Sequence, residues 1–589
     1  MQNLSGVNRY ICLPPTIFIF WMLRTNILLL VFVLLGHTMT AQLKYYATPV
    51  RIPVSLSANF GELRSDHFHT GLDFRTERKT GIPIYASAEG YVSRISVSPT
   101  GYGRALYISH PNNTTTVYGH LLSFRDDIEA YVKEEQYRNK SFAVDLNLTP
   151  DKFTVKRDER IALSGNSGSS GGPHLHYEIR DTPTQDALNP LTIDSFGVKD
   201  ATPPRIFAVQ FYPLDNQSHV EFRSVRRKYT PVAQGTRYRL SPARAVNVLG
   251  RIGIAVRAND YFDGNTSVCG IRSARLLLGG REVHSFTLDR VAFSHNRYLN
   301  SHIDYGEVVQ NREWYHRMWL DPGNQLDIYT TGDSRGVMTV DSGQVVQGEV
   351  ILADVSGNEA RFSFTLAGVA WPLPEITTNS SSLFSWQTEN RFQSPGFEIT
   401  TPAGAFYDDI NFYHQVIASP NAPYSAVHQV HFNTTPVHKS MKIRIHADTL
   451  PDSLASRAFI ALIDDKGIKR YAGGTLSEGW LETSIREFGN YTVDVDTIPP
   501  VITPLSIKDN ALTETAWIRF TITDDFSGIR SANGFIDGEW ALFEYDPKTR
   551  RVAYKIDTSR IGSGTRHVLN LSVTDNAGNT TVYTASFWK

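Results

Sequence analysis

Apolar and polar residues alternate over short runs through most of this chain, and Gly, Pro, Asn or Asp punctuates the runs. That period of two is the signature of half-buried β-strands. Near the N-terminus it predicts strands over GIPIYASA (Gly81 to Ala88), GYVSRISV (Gly90 to Val97), ALYISH (Ala105 to His110) and TTVYGHL (Thr115 to Leu121). One segment breaks the pattern. In FRDDIEAYVKEEQYRNK (Phe124 to Lys140), Ile128, Tyr131, Val132 and Glu135 follow a helical spacing, with acidic residues early and basic ones late. It reads as a helix in an arm inserted beside the β core.

Two stretches carry the same phrases in the same order. DATPPR (Asp200 to Arg205), DYFDGN followed by CGIRSARL, and ADVSGNEARFSF (Ala353 to Phe364) recur as DTIPPV (Asp496 to Val501), DDFSGIRSANGF and TDNAGNTTVYTASF (Thr574 to Phe587). This argues for an internal repeat. Each copy reads as an antiparallel β-sandwich whose acidic turns cap the backbone rather than bind calcium. The stretch between them is strand-like (FEITTPAGAFYDDI, KIRIHADTL, RAFIALIDD), and its His414, His428, His431, His438 and His446 read as surface or core residues. The fold class expected is mainly β. The expected divisions are a leader over 1–41, then 42–198, a sandwich over 199–370, a β-rich domain over 371–495 and a second sandwich over 496–589.

Length supports that division, because 589 residues exceed what one core organises. Lys+Arg is 58 and Asp+Glu 59, a net charge of −1, which gives no electrostatic case for nucleic acid as a partner. Of two cysteines, Cys12 falls in the leader, so Cys269 would be the one thiol of an exported chain and reads as a small buried hydrophobe. Arg24, the apolar run Ile27 to Leu35 and the Ala41-Gln42 step read as a cleaved export signal, with an uncleaved anchor over Thr16 to Leu35 as the rival. No other apolar run is long enough to span a bilayer, so no membrane span is expected after cleavage.

The chemistry gathers in four short stretches: HFHTGLD (His67 to Asp73), YGH (Tyr118 to His120), GNSGSSGGP (Gly165 to Pro173) and HLH (His174 to His176). On a strand, residues i and i+2 face the same side, so His174 and His176 present two imidazoles to one cavity while Leu175 faces a core. HTGLD adds His69 and Asp73, with Gly71 letting the chain turn between them, and His67 is a rival to His69. Two His and one Asp suit Zn²⁺, and the cysteine count excludes a Cys-based zinc site. No HExxH motif supplies a Glu base, so histidines such as His120 remain for proton transfer. His110, before the PNN turn, reads as structural.

These blocks, with NFGELR, HTGLDF, GIPIYASAEGYV, GYGRALYISH, TVYGHL and SGNSGSSGGPHLHYE in order over about Asn59 to Pro190, resemble the lysostaphin/LytM-type zinc endopeptidases. The resemblance implies a LytM-like antiparallel β-sheet peptidase domain followed here by immunoglobulin-like sandwiches. It implies that His69, Asp73 and His176 bind Zn²⁺, and that His120 and His174 are catalytic. The implied function is a secreted endopeptidase in which zinc-activated water, assisted by histidines, hydrolyses peptidoglycan stem-peptide crosslinks, in the periplasm or cell envelope of a bacterium. The β-domains would then meet envelope proteins or glycans. The alternative is a non-catalytic wall-binding or hydrolase-regulating protein. One departure from the family is the insert at Phe124 to Lys156, expected to wall one side of the groove.

Overall fold

A computed structural model describes residues 44–374, 382–419 and 422–589. The leader, Cys12 and the Ala41-Gln42 step lie outside the described residues. Among the described residues no helix is long and apolar enough to cross a membrane. Residues Thr48–Lys589 form one compact unit.

The N-terminal part of that unit is built on strands β1 (Leu56–Ala58), β2 (Leu72–Arg75), β3 (Pro83–Tyr85), β4 (Gly90–Val97), β5 (Arg104–Ser109), β6 (Thr114–Gly119) and β7 (Leu121–Phe124). Helix α1 (Asp126–Asn139) follows, then β8 (Val144–Asn147), β9 (Thr154–Val155), β10 (Arg160–Ser164), β11 (His174–Asp181) and β12 (Ala187–Leu188). The main sheet runs β1-β2-β11-β6-β5-β4-β8, and a smaller sheet runs β3-β10-β7. All pairings within these two sheets are antiparallel.

The expected strand over Thr115 to Leu121 is broken at its end. His120 has φ 59°, a left-handed backbone that a non-glycine residue seldom adopts, and it separates β6 from β7. Alternation alone cannot show such a break, because His120 keeps its place in the polar pattern while its backbone leaves the ladder.

Helix α1 has the acidic first turn the sequence predicts and a left-handed C-cap at Lys140. Its burial differs from an ordinary amphipathic helix, because Glu135 and Gln136 are buried beside Ile128 and Val132. Gln136 Nε2 donates to the Phe142 carbonyl oxygen at 2.6 Å, and Glu135 pairs with Arg138 at 2.6 Å. Arg560 stacks over Tyr137 with its guanidinium 3.6 Å from the ring centre and pairs with Glu134 at 2.7 Å. Lys133 pairs with Asp557, and Tyr137 meets Trp540 edge-on at 5.3 Å. The inserted arm therefore packs against the last part of the chain as well as its own sheet.

The remaining residues form further sheets. Strands between Arg205 and Gly368 form a large sheet around Phe211, Ile254, Leu276 and Phe362. Those between Ser382 and Val495 enclose Phe397, Ile443 and Val493. A four-stranded and a five-stranded sheet between Val501 and Trp588 enclose Phe520, Val552 and Leu571. The two repeat copies are not wholly antiparallel. Val246–Val248 pairs in parallel with Leu366–Gly368, and Ala511–Leu512 pairs in parallel with Phe587–Trp588. In each copy a strand from the first half thus closes the sheet beside the last strand, a return that local alternation does not encode. The boundary near 198 is also crossed, because Arg290–Val291, from the following segment, pairs with β12 and so joins the main sheet.

Candidate metal and catalytic site

The site is set by strand register. β2 and β11 pair so that Asp73 stands opposite His176, and on the other side of β11 His176 stands opposite Gly119. The residue two before Asp73 must be small for this. A Cβ on Gly71 would lie 2.4 Å from the Tyr177 carbonyl oxygen and 3.1 Å from His176 Cε1. Gly71 is therefore needed for close approach to β11, rather than for the turn the sequence suggests; it is absent from the residues with positive φ.

His69, Asp73 and His176 are all buried and form a metal-competent group. His69 Nε2 lies 3.1 Å from Asp73 Oδ1 and 3.1 Å from His176 Nδ1, and His176 Nδ1 lies 2.9 Å from Asp73 Oδ1. Tetrahedral donors about 2.0–2.1 Å from zinc sit about 3.3–3.4 Å apart, so this triangle is close to one face of such a polyhedron.

Hydrogen-bond partners assign the tautomers. His69 Nδ1 lies 2.7 Å from the Asn59 carbonyl oxygen, so it donates there and leaves Nε2 as a lone pair. His176 Nε2 lies 2.8 Å from Glu178 Oε1, so it donates there and leaves Nδ1 as a lone pair. Two imidazole lone pairs and a carboxylate oxygen then converge with no proton between them. A metal ion, or in its place a proton on His176 Nδ1, satisfies such a set. The same demand appears in the pKa of His176. Burial lowers it, but hydrogen bonds with Asp73 and Glu178 outweigh burial and raise it to about 9. The arrangement fits a metal ion in its donor types, their protonation and their spacing.

Two further histidines flank the triangle. The ring centres of His120 and His174 are 4.8 Å apart, and His120 is 5.9 Å from His176. His120 Nδ1 donates to the Ser167 carbonyl oxygen at 2.9 Å, and His174 Nδ1 to the Gly172 carbonyl oxygen at 2.8 Å. Both acceptors lie in the Gly-rich loop, which therefore orients both rings. Each ring is left with a free Nε2, and that of His174 lies 3.5 Å from Asp73 Oδ1. Burial, with His176 and His174 nearby, lowers the His120 pKa to about 3, so this imidazole is neutral at ordinary pH.

His67 is displaced from the site. Its side chain is 53% exposed and pairs with Asp66 at 2.7 Å, whereas His69 lies in the buried group. His110 is held by the Glu89 carbonyl and Thr116 hydroxyl, in keeping with a structural role. Cys269 is free and buried, and burial pushes its thiol pKa up. His414 and His428 stand 3.2 Å apart in the third group of sheets.

Glu178 was missed in the sequence. Its oxygens meet His176, Thr70 (2.7 Å), Tyr102 (2.6 Å) and Arg180 (2.6 Å), and this network holds the carboxylate well below its usual pKa despite burial. The signal was present: His174, His176, Glu178 and Arg180 continue one i, i+2 face of β11. Asn59 was also missed. Besides holding His69 through its carbonyl, its side chain exchanges two hydrogen bonds with the Gly270 backbone at 2.7 and 2.8 Å.

The donor set on this sheet makes a candidate metal site. Residues 67–138 match the model of Peptidase family M23, and residues 381–496 match that of a Zu5-like domain. An uncharacterized metalloprotease of Haemophilus influenzae is 38% identical over 125 residues, covering 21% of this chain and 21% of the relative. The DD-carboxypeptidase/endopeptidase Mpg of Neisseria meningitidis serogroup B is 31% identical over 131 residues, covering 22% of this chain and 24% of that protein. The chain thus matches about a fifth to a quarter of the length of these curated relatives. Among solved structures, the catalytic domain of the prophage-encoded M23 protein EnpA from Enterococcus faecalis is 28% identical, covering 25% of this chain and 95% of that one, with a TM-score of 0.19. The N-terminal region is thus similar to the LytM-type peptidases of family M23.

Proposed function

We propose that the protein is an exported zinc endopeptidase that hydrolyses peptide crosslinks of bacterial peptidoglycan. The convergence of His69 Nε2, Asp73 Oδ1 and His176 Nδ1 within about 3 Å of one another carries this reading. His69, Asp73 and His176 would hold Zn²⁺, and His120 and His174 would act on the reacting groups. Zinc bound there supplies Lewis acidity toward water and the scissile carbonyl.

The chain's own residues provide the rest. His120, neutral and fixed through Nδ1, offers Nε2 as a proton acceptor. His174, fixed by Gly172, offers a second Nε2 on the same side of the triangle. With two hydrogen-bonded rings already oriented, proton transfer needs little reorganisation. The relatives named for DD-carboxypeptidase/endopeptidase activity support a peptidoglycan substrate.

Export to the periplasm or cell envelope follows from the leader reading and from that substrate. In this reading 42–198 is the peptidase domain, and 199–370, 371–495 and 496–589 are the β-domains, the first and last immunoglobulin-like. They position the enzyme on envelope proteins or glycans.

Digestion of purified peptidoglycan with and without a chelator tests the proposal, read by mass spectrometry of released fragments. Chelator-sensitive conversion of crosslinked dimers to monomers supports it. Intact dimers with a fully zinc-loaded protein would overturn it.

A further inference from the structure

The repeat copies each bring together three aspartates far apart in sequence. In the first, Asp200, Asp260 and Asp354 place one carboxylate oxygen each within 4.8 Å of one another, and Asp496, Asp524 and Asp575 do so in the second. The scaffolds match bond for bond. Asp354 accepts from the Asn358 backbone N–H at 2.9 Å and side chain at 2.8 Å, and Asn358 also reaches the Asp200 carbonyl at 3.3 Å. Asp575 accepts both bonds from Asn579 at 2.8 Å, and Asn579 reaches the Asp496 carbonyl at 2.9 Å.

The third carboxylate separates the copies. Asp524 Oδ2 accepts from the N–H groups of Phe526 at 3.1 Å and Gly528 at 2.6 Å. Its counterpart Asp260 is completely buried, and neither of its oxygens has a hydrogen-bond partner of normal geometry, the Tyr261 N–H being the one donor that acts on it. Asp200 Oδ2, in the same cluster, is also buried without a partner. A bare buried carboxylate is costly unless a cation or a proton neutralises it. The nearby charges add to the cost: after burial, Asp354 and Asp200 are what push Asp260 up, to about 8. Three carboxylates with no nitrogen or sulfur donor make an all-oxygen set, which selects a hard divalent cation. Calcium tolerates the irregular geometry and bidentate carboxylates available here better than magnesium does.

We propose that Asp200, Asp260 and Asp354 bind a calcium ion that pins the connection between the M23 region and the following sheet. Asp200 lies in that connection, just before the strand Arg205–Pro213. Asp263 ties the same segment through the Ala201 N–H at 3.1 Å and the Thr202 hydroxyl at 2.7 Å. From the site the path to the catalytic sheet is short. Asp260 and Cys269 exchange two backbone hydrogen bonds of 2.9 Å, and the adjoining Gly270 is bound by Asn59, whose carbonyl holds His69. The second cluster, with its carboxylates met by backbone amides, is assigned no ion.

The test uses the full zinc-loaded chain, with calcium chloride as the probe. Bound calcium is counted by equilibrium dialysis, and melting temperature is followed with and without calcium. Wild type is expected to bind calcium saturably, and Asp260→Asn to bind one ion fewer per chain. Asp354→Asn, at another corner, should lose the same ion, whereas Asp73→Ala should keep it. Melting should show a reversal: without calcium, Asp260→Asn melts no lower than wild type, because it loses an unpaired charge. With calcium, wild type melts higher. If wild type bound no calcium at millimolar concentration, or bound the same number of ions as both variants, the proposal would be overturned and a proton would be what neutralises Asp260.

Discussion

His176 Nε2 lies 2.8 Å from Glu178 Oε1, two residues along the same strand, and this contact decides which nitrogen of His176 faces the metal site. The carboxylate is fully buried and also bound by Arg180, Tyr102 and Thr70, so it holds the ring in one tautomer and one orientation. Glu178→Gln should lower metal affinity about 10–100-fold, the usual cost of losing a carboxylate behind a ligating histidine. Competition with a chromophoric chelator measures it. Unchanged affinity would mean that His176 needs no orienting partner.

Ligands and flanking histidines should separate by metal content. Asp73→Ala or His176→Ala should lose both zinc and activity. His120→Ala or His174→Ala should keep zinc and lose turnover by about 10²–10⁴-fold, the range of a positioned acid or base. Zinc per chain, measured beside turnover, checks this. Full zinc occupancy in His69→Ala would show the ligand assignment to be wrong.

Gly71→Ala tests the packing that brings β2 against β11. The added Cβ would stand 2.4 Å from the Tyr177 carbonyl oxygen, which is backbone and cannot move aside alone. The expected destabilisation is about 1–3 kcal/mol, with weaker zinc binding because His176 Cε1 is also crowded. Denaturant unfolding and zinc titration of the same variant give both readouts.

A pH effect arises well away from the metal site. His316 is fully buried, its Nδ1 is 2.8 Å from His302 Nε2, and burial lowers its pKa from 6.5 to about 4. Between those values the unfolded chain binds a proton that the native state refuses, so stability falls as pH drops from 6.5 toward 4. His316 should contribute a loss of about 3 kcal/mol over that window. Unfolding at pH 7.5 and 4.5 measures it, and His316→Gln should have the shallower dependence.

Much of the site was legible because it rests on local periodicity. His174 and His176 share a face of β11 as alternation requires, and Gly90–Val97 forms the strand the sequence predicts over those residues. The same rule, carried two residues further, would have found Glu178. Other features have no local signal. That α1 packs on Trp540 and Arg560, or that Lys548 reaches the carbonyl oxygens of Asn166 and Gly168 in the Gly-rich loop, depends on contacts across hundreds of residues. The repeated phrases around Asp200, Asp260 and Asp354 were visible as a repeat. The shortage of hydrogen-bond donors at Asp260 was not, because it depends on the path of three separate loops.

The most direct test of the central claim is anomalous diffraction at the zinc edge from crystals of the protein. The account predicts a single strong peak about 2.0–2.2 Å from His69 Nε2, Asp73 Oδ1 and His176 Nδ1. A peak elsewhere, or none from protein saturated with zinc, would contradict it.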